Sequence, residues 1–363
     1  MRITEIETPA VVVDLDIMER NLARVAQYAQ DHALRLRPHT KTHKSPIIAR
    51  RQLDLGAAGL TVAKVGEAEV MMTAAPDDLL VAYPVIGHRK LERLMALAEN
   101  TRITVAVDSV AAAHQLSDAA REHRREIGVL IEVDMGLKRV GVQPSQAVAF
   151  TKSVLRLPHL RYEGVAMYPG HIKMMDETGM AAIKKLSGDV ESLVDELTAA
   201  GLKPPIVSGG STPALYHSHH VAGLNEIRPG TYVFNDRNTL ELGSCAMKDC
   251  AATVLCTVVS TAQPGQIILD GGSKTFSSDR LATGADAGFG ELIGAPEAIF
   301  TKLMEEHGFV DVHRCHRKFE VGEQVSVLMN HVCVVMNLHE QVYGVRNGVV
   351  EEVWKVEARG KLQ

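Results

Sequence analysis

His331 and Cys333 place an imidazole and a thiol two residues apart in the segment 325–337, VSVLMNHVCVVMN. The segment reads as a β-strand, and in a strand that spacing aims both side chains at one face. Side by side they make half of a transition-metal site. The same residues would serve equally as strand packing, the cysteine a small hydrophobe and the histidine satisfied by a carbonyl. Roughly 290 residues earlier lies a second reactive stretch, RPHTKTHKS at 37–45, whose Lys41 is a candidate nucleophilic amine. Lys44, a second cation close by, favours the unprotonated amine that such chemistry needs. A lysine and a metal together point to carbonyl chemistry assisted by a Lewis acid, at a site to which two domains contribute.

The elements that must carry these residues follow from hydrophobic periodicity. Eight short runs rich in Val, Ile and Leu, at 34–39, 59–63, 78–83, 102–108, 127–134, 161–168, 205–208 and 226–234, alternate with helical patterns such as 88–100, 110–125 and 177–200. Gly201 caps the last of these helices. Such alternation predicts an α/β fold, a (β/α)8 barrel of TIM type rather than an open sheet. Active sites of barrels lie at the C-terminal ends of the strands, and polar residues fall there: His39 and Lys41, Lys64, Tyr83, Asp108, Asp134 and Arg139, Tyr168 and His171, then Gly209-Gly210-Ser211-Thr212. The two glycines let backbone N–H groups approach an anion and the two hydroxyls add donors, as a phosphate requires. An ordinary tight strand-to-helix turn would use the same residues. His171, after the sixth strand, is placed to act as a base toward a substrate hydroxyl.

Ahead of the barrel, 10–14 reads as a further strand, with Asp16 and Glu19 as the capping box of the following helix. Beyond about residue 236 the pattern changes to strand-like runs at 252–260, 266–270, 323–336 and 341–346, a hairpin-type turn at 346–349, and helix only near 296–306. The expected organisation is an N-terminal segment 1–25 whose strand packs on a C-terminal mostly-β domain, a barrel 26–235, and that β domain, 236–363.

A chain of 363 residues has room for two such cores. A net charge of −5, 4% aromatic residues and no long basic run give no footing for nucleic acid. The first ten residues lack the apolar core of a leader and no stretch reaches a membrane span, so a cytoplasmic protein is expected. Five cysteines, an odd number in a long chain, predict reduced thiols. His217, His219 and His220 read as a surface helix or loop before a metal site, Cys245 and Cys250 are too isolated for a zinc knuckle, and His313 with His316 lies in a charged connector.

Taken in order, TPAVVVDLD at 8–16, the Lys41 stretch, EVDMGLKRVG at 132–141, YPGH at 168–171, RPGTYVF at 228–234, NHVC at 330–333, EEVW at 351–354 and ARG at 358–360 resemble the D-threonine aldolase and D-serine dehydratase family. The resemblance implies an alanine-racemase-type barrel with a C-terminal β domain, pyridoxal 5'-phosphate, a divalent metal, β-hydroxy D-amino acids as substrates, and a homodimer. It makes Lys41 the Schiff-base lysine, sets Arg139 near the cofactor's phenolic oxygen, and counts Tyr168 among the cofactor-binding residues. It assigns Gly209, Gly210, Ser211 and Thr212, with Tyr232, to the phosphate. Arg228 is similar to the arginine that faces the pyridine nitrogen; because an arginine keeps its proton, that nitrogen stays unprotonated and the ring is a weaker electron sink. His331 and Cys333 become the metal ligands, for zinc or manganese, with the thiolate favouring zinc; Glu306 is a further residue near the metal end. The expected activity is retro-aldol cleavage to glycine and an aldehyde. Dehydration to a 2-oxo acid and ammonia is the alternative, since a His-x-Cys pair is the dehydratase version, and a non-enzymatic cofactor-binding protein is a third.

Overall fold

Short apolar runs become paired strands in the computed structural model, which describes residues 1–284 and 287–363. The chain begins with β1 (Ala10–Asp14) and α1 (Leu15–Asp31), then alternates through β2 (Arg35–Leu36), α2 (Pro46–Asp54), β3 (Leu60–Val62), α3 (Val65–Met71), β4 (Asp78–Val81), α4 (His88–Leu97), β5 (Arg102–Val107), α5 (Val110–Glu122), β6 (Ile127–Glu132), α6 (Ala147–Val154), β7 (Leu160–Ala166), α7 (Glu177–Ala199), β8 (Ile206–Gly209) and β9 (Glu226–Ile227). It continues with α8 (Arg237–Glu241), β10 (Ala252–Ser260), β11 (Gln266–Leu269), α9 (Ser273–Phe276), β12 (Gly290–Leu292), β13 (Ile299–Leu303), β14 (Gly308–Asp311), β15 (Gln324–Met329), α10 (Val332–Leu338), β16 (Gln341–Arg346) and β17 (Val349–Lys355). Two compact units result: Arg24–Lys41, Pro46–Gly230 and Gly360–Gln363 form one, and Met1–Ala23, Thr42–Ser45 and Thr231–Arg359 form the other.

In the first unit, eight parallel strands among the described residues run in the order β2-β9-β8-β7-β6-β5-β4-β3. The ends of that order meet through a parallel bridge between His39 and Thr61, supported by Thr61 N–H to the Pro38 carbonyl at 2.9 Å and Thr40 N–H to the Thr61 carbonyl at 2.9 Å. The (β/α)8 barrel is therefore closed. All eight expected strands are present, and β4 and β6 are buried at every residue, as strands covered on both faces must be. The last is shorter than its apolar run suggests: Pro229, without a donor, follows β9, and Thr231–Val233 form a 3-10 turn. Asp176 caps α7 through Gly179 N–H at 2.9 Å, and Gly201, at φ 76°, ends it.

A buried ion-pair chain ties the closing strands. Arg37, 2% exposed, donates from Nε to Glu226 Oε2 at 2.9 Å and from Nη1 to Asp78 Oδ1 at 2.6 Å. Asp78 also accepts from Arg102 Nε at 2.9 Å. A Cβ on Gly59 would lie 2.7 Å from Arg37 Nη1, so only glycine leaves the guanidinium its place.

The second unit draws on both ends of the chain. Its nine strands among the described residues include the path β13-β14-β11-β10-β1-β16-β17, with β15 paired to β10 and β12 to β15. β1 is antiparallel to β10 and parallel to β16. The turn between β16 and β17 has Asn347 at φ 50° and Gly348 at φ 75°, the left-handed pair that a two-residue hairpin needs. Two local expectations are corrected. The stretch 296–306 contains the strand β13, paired antiparallel to β14, because its partner supplies hydrogen bonds that an isolated short helix lacks. The start of α1 is capped by Asp14, which accepts from Ile17 N–H at 2.9 Å, and not by Asp16; Asp16 and Glu19 instead pair with Arg346. No helix of the described residues is long and apolar enough to cross a membrane.

Burial favours the neutral form of Asp78, but Arg37 and Arg102 outweigh it and hold the carboxyl below its ordinary value. With the folded value depressed, the stabilisation is complete above about pH 4 and is lost as pH falls through the folded value. Asp78→Asn is expected to cost about 3 kcal/mol at pH 7. Urea unfolding of both proteins at pH 7 and pH 3 should show this gap narrowing in acid, and an equal gap at both would contradict the assignment.

Candidate active site

Parallel strands deliver their C-terminal ends to one face of the barrel, and most of the expected barrel residues lie there. Lys41, exposed, lies in the turn after β2, with its N–H directed at His39 Nδ1 at 3.4 Å. The boundary between the units falls at the next peptide bond. Lys64 precedes α3, and its ammonium lies 3.7 Å from the centre of the Tyr83 ring. The loops after β6 and β7 form one cluster. Arg139 stacks over Tyr168 at 5.0 Å, and the His171 ring packs where a Cβ on Gly136 would stand 3.0 Å from its Cε1. Asp134 accepts from the N–H groups of Gly136 and Lys138 at 3.0 and 2.9 Å, and Asp108 from Gly141 N–H at 3.1 Å. Burial alone would raise the Asp134 carboxyl, but the hydrogen bonds from Lys138, Gly136, Gln143 and Leu137 together hold it below the ordinary value.

The turn after β8 has the features of an anion cradle. Gly210 takes φ 86°, and a Cβ on Gly209 would come within 2.9 Å of Leu224. Among the described residues, no acceptor meets the backbone N–H groups of Gly210, Ser211 and Thr212. Three consecutive unpaired donors beside the buried Ser211 suit an anion. Arg228, buried after β9, donates from Nη1 to Ser208 Oγ at 2.5 Å and from Nη2 to the Met167 carbonyl at 3.0 Å. Its remaining donors suit an acceptor such as an unprotonated ring nitrogen. With Lys41 on the same strand-end face, these residues fit pyridoxal phosphate.

Sequence reading overlooked Ser208, Glu226 and Glu132, all fully or nearly buried. Their signal was a polar residue inside an apolar strand, where burial demands a partner. Ser208 Oγ donates to Glu226 Oε1 at 2.7 Å. Burial pushes the Glu132 carboxyl up, against the pull of Arg228 and Arg139.

In the β unit His331 and Cys333 stand beside each other as expected, but the strand argument for them fails. β15 ends at Met329, and His331 is the N-cap of α10. The break comes from Asp236, whose buried carboxylate accepts from Val332 N–H at 3.0 Å and from Thr239 N–H at 2.9 Å, so the chain turns into a helix where alternation predicts more strand. The turn still brings the two side chains together. Burial would lower the affinity of His331 for its proton, yet the Cys333 sulfur, with Asp236 and Asp279, raises its pKa to about 9. Thr42 Oγ1 lies 3.2 Å and Thr231 Oγ1 3.9 Å from the Cys333 sulfur. Among the described residues no group of three or more His, Cys, Asp or Glu gathers as a metal cage. One nitrogen and one sulfur fit a borderline divalent ion that keeps positions for other ligands.

The remaining candidates lie elsewhere. Tyr232 is buried in the 3-10 turn of the β unit. His219 stacks on His32 at 3.9 Å and bonds the Tyr28 hydroxyl through Nδ1 at 2.9 Å, as a packed surface cluster does. His313 pairs with Asp311, and Glu306 with Lys274.

Residues 13–238 match the family described as alanine racemase, N-terminal domain, and residues 251–345 the putative serine dehydratase domain. The chain is 34% identical over 370 residues to the 3-hydroxy-D-aspartate aldolase of Paracoccus denitrificans (strain Pd 1222), covering 99% of this chain and 93% of the relative. To the D-threo-3-hydroxyaspartate dehydratase of Delftia sp. (strain HT23) it is 33% identical, covering 90% and 91%. The crystal structure of D-threonine aldolase from Filomicrobium marinum superposes with a TM-score of 0.92 at 31% identity, covering 99% of this chain and 98% of that one. With its barrel and its β unit both matched along nearly the full length, the chain belongs to the alanine racemase N-terminal-domain family, in the pyridoxal-phosphate-dependent branch that carries a serine dehydratase domain and includes D-threonine aldolases.

Proposed function

We propose that the chain is a pyridoxal-phosphate- and divalent-metal-dependent lyase that cleaves β-hydroxy D-amino acids to glycine and an aldehyde. The observation that carries this reading is the contact of His331 with Cys333. A racemase or a cofactor carrier has no use for such a pair, whereas a lyase must act on a β-hydroxyl. When bound, pyridoxal phosphate supplies an electron sink for the carbanion at Cα, and the metal a Lewis acid for the hydroxyl.

In this reading Lys41 holds the cofactor through its amine and yields to the substrate amine. Gly209, Gly210, Ser211 and Thr212, with Tyr232, bind the phosphate. Arg139, stacked on Tyr168, is set toward the phenolic oxygen. Arg228 keeps its own proton and leaves the ring nitrogen without one. His331 and Cys333 hold the metal, zinc by preference because of the sulfur and manganese otherwise. His171 takes the β-hydroxyl proton as the Cα–Cβ bond breaks. A cytoplasmic homodimer is the working arrangement, on the resemblance alone.

One observation favours a second reading, dehydration of D-serine or 3-hydroxy-D-aspartate, in which Lys41 removes the Cα proton and the β-hydroxyl leaves as hydroxide. Solved structures of D-threo-3-hydroxyaspartate dehydratase include a cysteine-to-alanine mutant in the metal-free form and a histidine-to-alanine mutant two positions earlier. That is the spacing of His331 and Cys333. The names of the Paracoccus and Filomicrobium relatives favour the aldolase.

Borohydride treatment of the purified protein should fix a pyridoxyl group on Lys41; mass mapping to Lys44 or Lys64 would overturn the assignment. Exhaustive chelation, or His331→Ala, should remove at least about 99% of turnover and leave cofactor absorbance intact, because Lys41 belongs to the other unit. Full turnover in protein shown free of metal would contradict the role of the pair. D-Threonine should give acetaldehyde and glycine with no primary isotope effect from deuterium at Cα, and D-serine little pyruvate. Abundant pyruvate with no acetaldehyde would select the dehydratase.

A further inference from the structure

Arg228 is a buried guanidinium whose hydrogen bonds among the described residues go to neutral oxygens, the Ser208 hydroxyl and the Met167 carbonyl. Of the carboxylates that balance it, Glu132 acts most strongly and Glu226 next, and Glu226 stands one hydroxyl away. Ser208 has a single proton, and Glu226 Oε1 takes it at 2.7 Å. The Ser208 oxygen can then only accept from Arg228, so the polarity of the contact is fixed. The other oxygen of Glu226 is held by Arg37 at 2.9 Å and by Arg35 at 3.3 Å, so Oε1 is the oxygen turned toward the guanidinium, with the Ser208 hydroxyl between them. Arg37 is held in turn by Asp78, and Asp78 by Arg102. Charges alternate along this line, and every buried member has its direction set by the next.

We infer that Ser208 and Glu226 are positioning residues for Arg228: the hydroxyl holds the guanidinium fork while keeping the Glu226 carboxylate off it, so that the uncompensated side of the cation faces the cofactor ring nitrogen and keeps that nitrogen unprotonated. This rests on the proposed reading that Arg228 faces the ring. A direct carboxylate contact would occupy two of the fork's donors and cancel the charge that excludes a proton from the ring. The other ionisable groups acting on Arg228 are Glu132, Arg37 and Tyr168, and Glu132, equally buried, is the second carboxylate that a displaced fork would approach.

The test is the absorbance of the bound cofactor of the holoenzyme, titrated from about pH 6 to pH 9 around the usual working range, together with kcat and KM. The wild type should show no ring titration. Ser208→Ala should bind cofactor, keep the borohydride adduct on Lys41, and acquire a pH-dependent spectrum, with kcat falling about 10- to 100-fold for a lost bond to a charged group and KM little changed. Ser208→Thr, which keeps the hydroxyl, should restore the wild-type spectrum. Should Ser208→Ala fail to fold, Ser208→Cys, whose thiol is only a weak donor and acceptor, should produce the same spectral titration. A folded variant with the adduct on Lys41 and a pH-independent spectrum and kcat would overturn the inference and leave the lyase reading standing. Failure of the wild type to form the adduct would instead overturn the lyase reading, and the inference with it.

Discussion

Arg37 has almost no access to water, and it stands where the barrel closes. A buried guanidinium without partners would cost several kcal/mol, so its two carboxylates, Glu226 and Asp78, are obligatory. They come from β9 and β4, while Arg37 follows β2. One side chain thus ties three strands about the closure, and two of them lead directly into functional residues. Four residues beyond Arg37 is Lys41, and two beyond Glu226 is Arg228. In the proposed reading, the precision with which Lys41 and Arg228 meet one small ring depends on this seam. Replacing the whole cluster by apolar residues of equal volume would be tolerable for stability, but it would strip Ser208 of the acceptor that orients it.

A comparable role in the β unit belongs to Asp236. It is fully enclosed, and burial pushes its carboxyl up while His331 and the amides of Thr239 and Val332 draw it back. By accepting from both amides it starts α8 and anchors the first turn of α10. The position of His331 and Cys333 is therefore set by a backbone cap that neither side chain supplies. Asn330 reinforces it by donating to the Gly288 and Asp279 carbonyls at 2.9 and 3.0 Å.

Much of this was legible in the chain. Barrel strands are covered on both faces, so they appear as short runs of Val, Ile and Leu bounded by glycine or polar residues, and the helices between them show their period clearly. Lys41 and the Gly209–Thr212 turn could be found because they follow such runs, whereas Arg228 lies within the expected run 226–234 and was found through the family resemblance. What failed did so for tertiary reasons. His331 and Cys333 sit in a stretch as apolar as a strand, and only the distant Asp236 explains the turn into helix. The run 296–306 carries helix-forming residues, but pairing with β14 outweighs that preference. Ser208 and Glu226 gave no local sign of function, since their meaning lies in partners 18 or more residues away.

β1 lies between β10 and β16, so the β unit needs a strand from the beginning of the chain. Synthesis is vectorial, and at about 5–20 residues per second tens of seconds pass between the emergence of Val11-Val12-Val13 and that of its first partner. Throughout that interval β1 has neither of its strand partners. An isolated fragment beginning at residue 236 would lack an interior strand of its sheet.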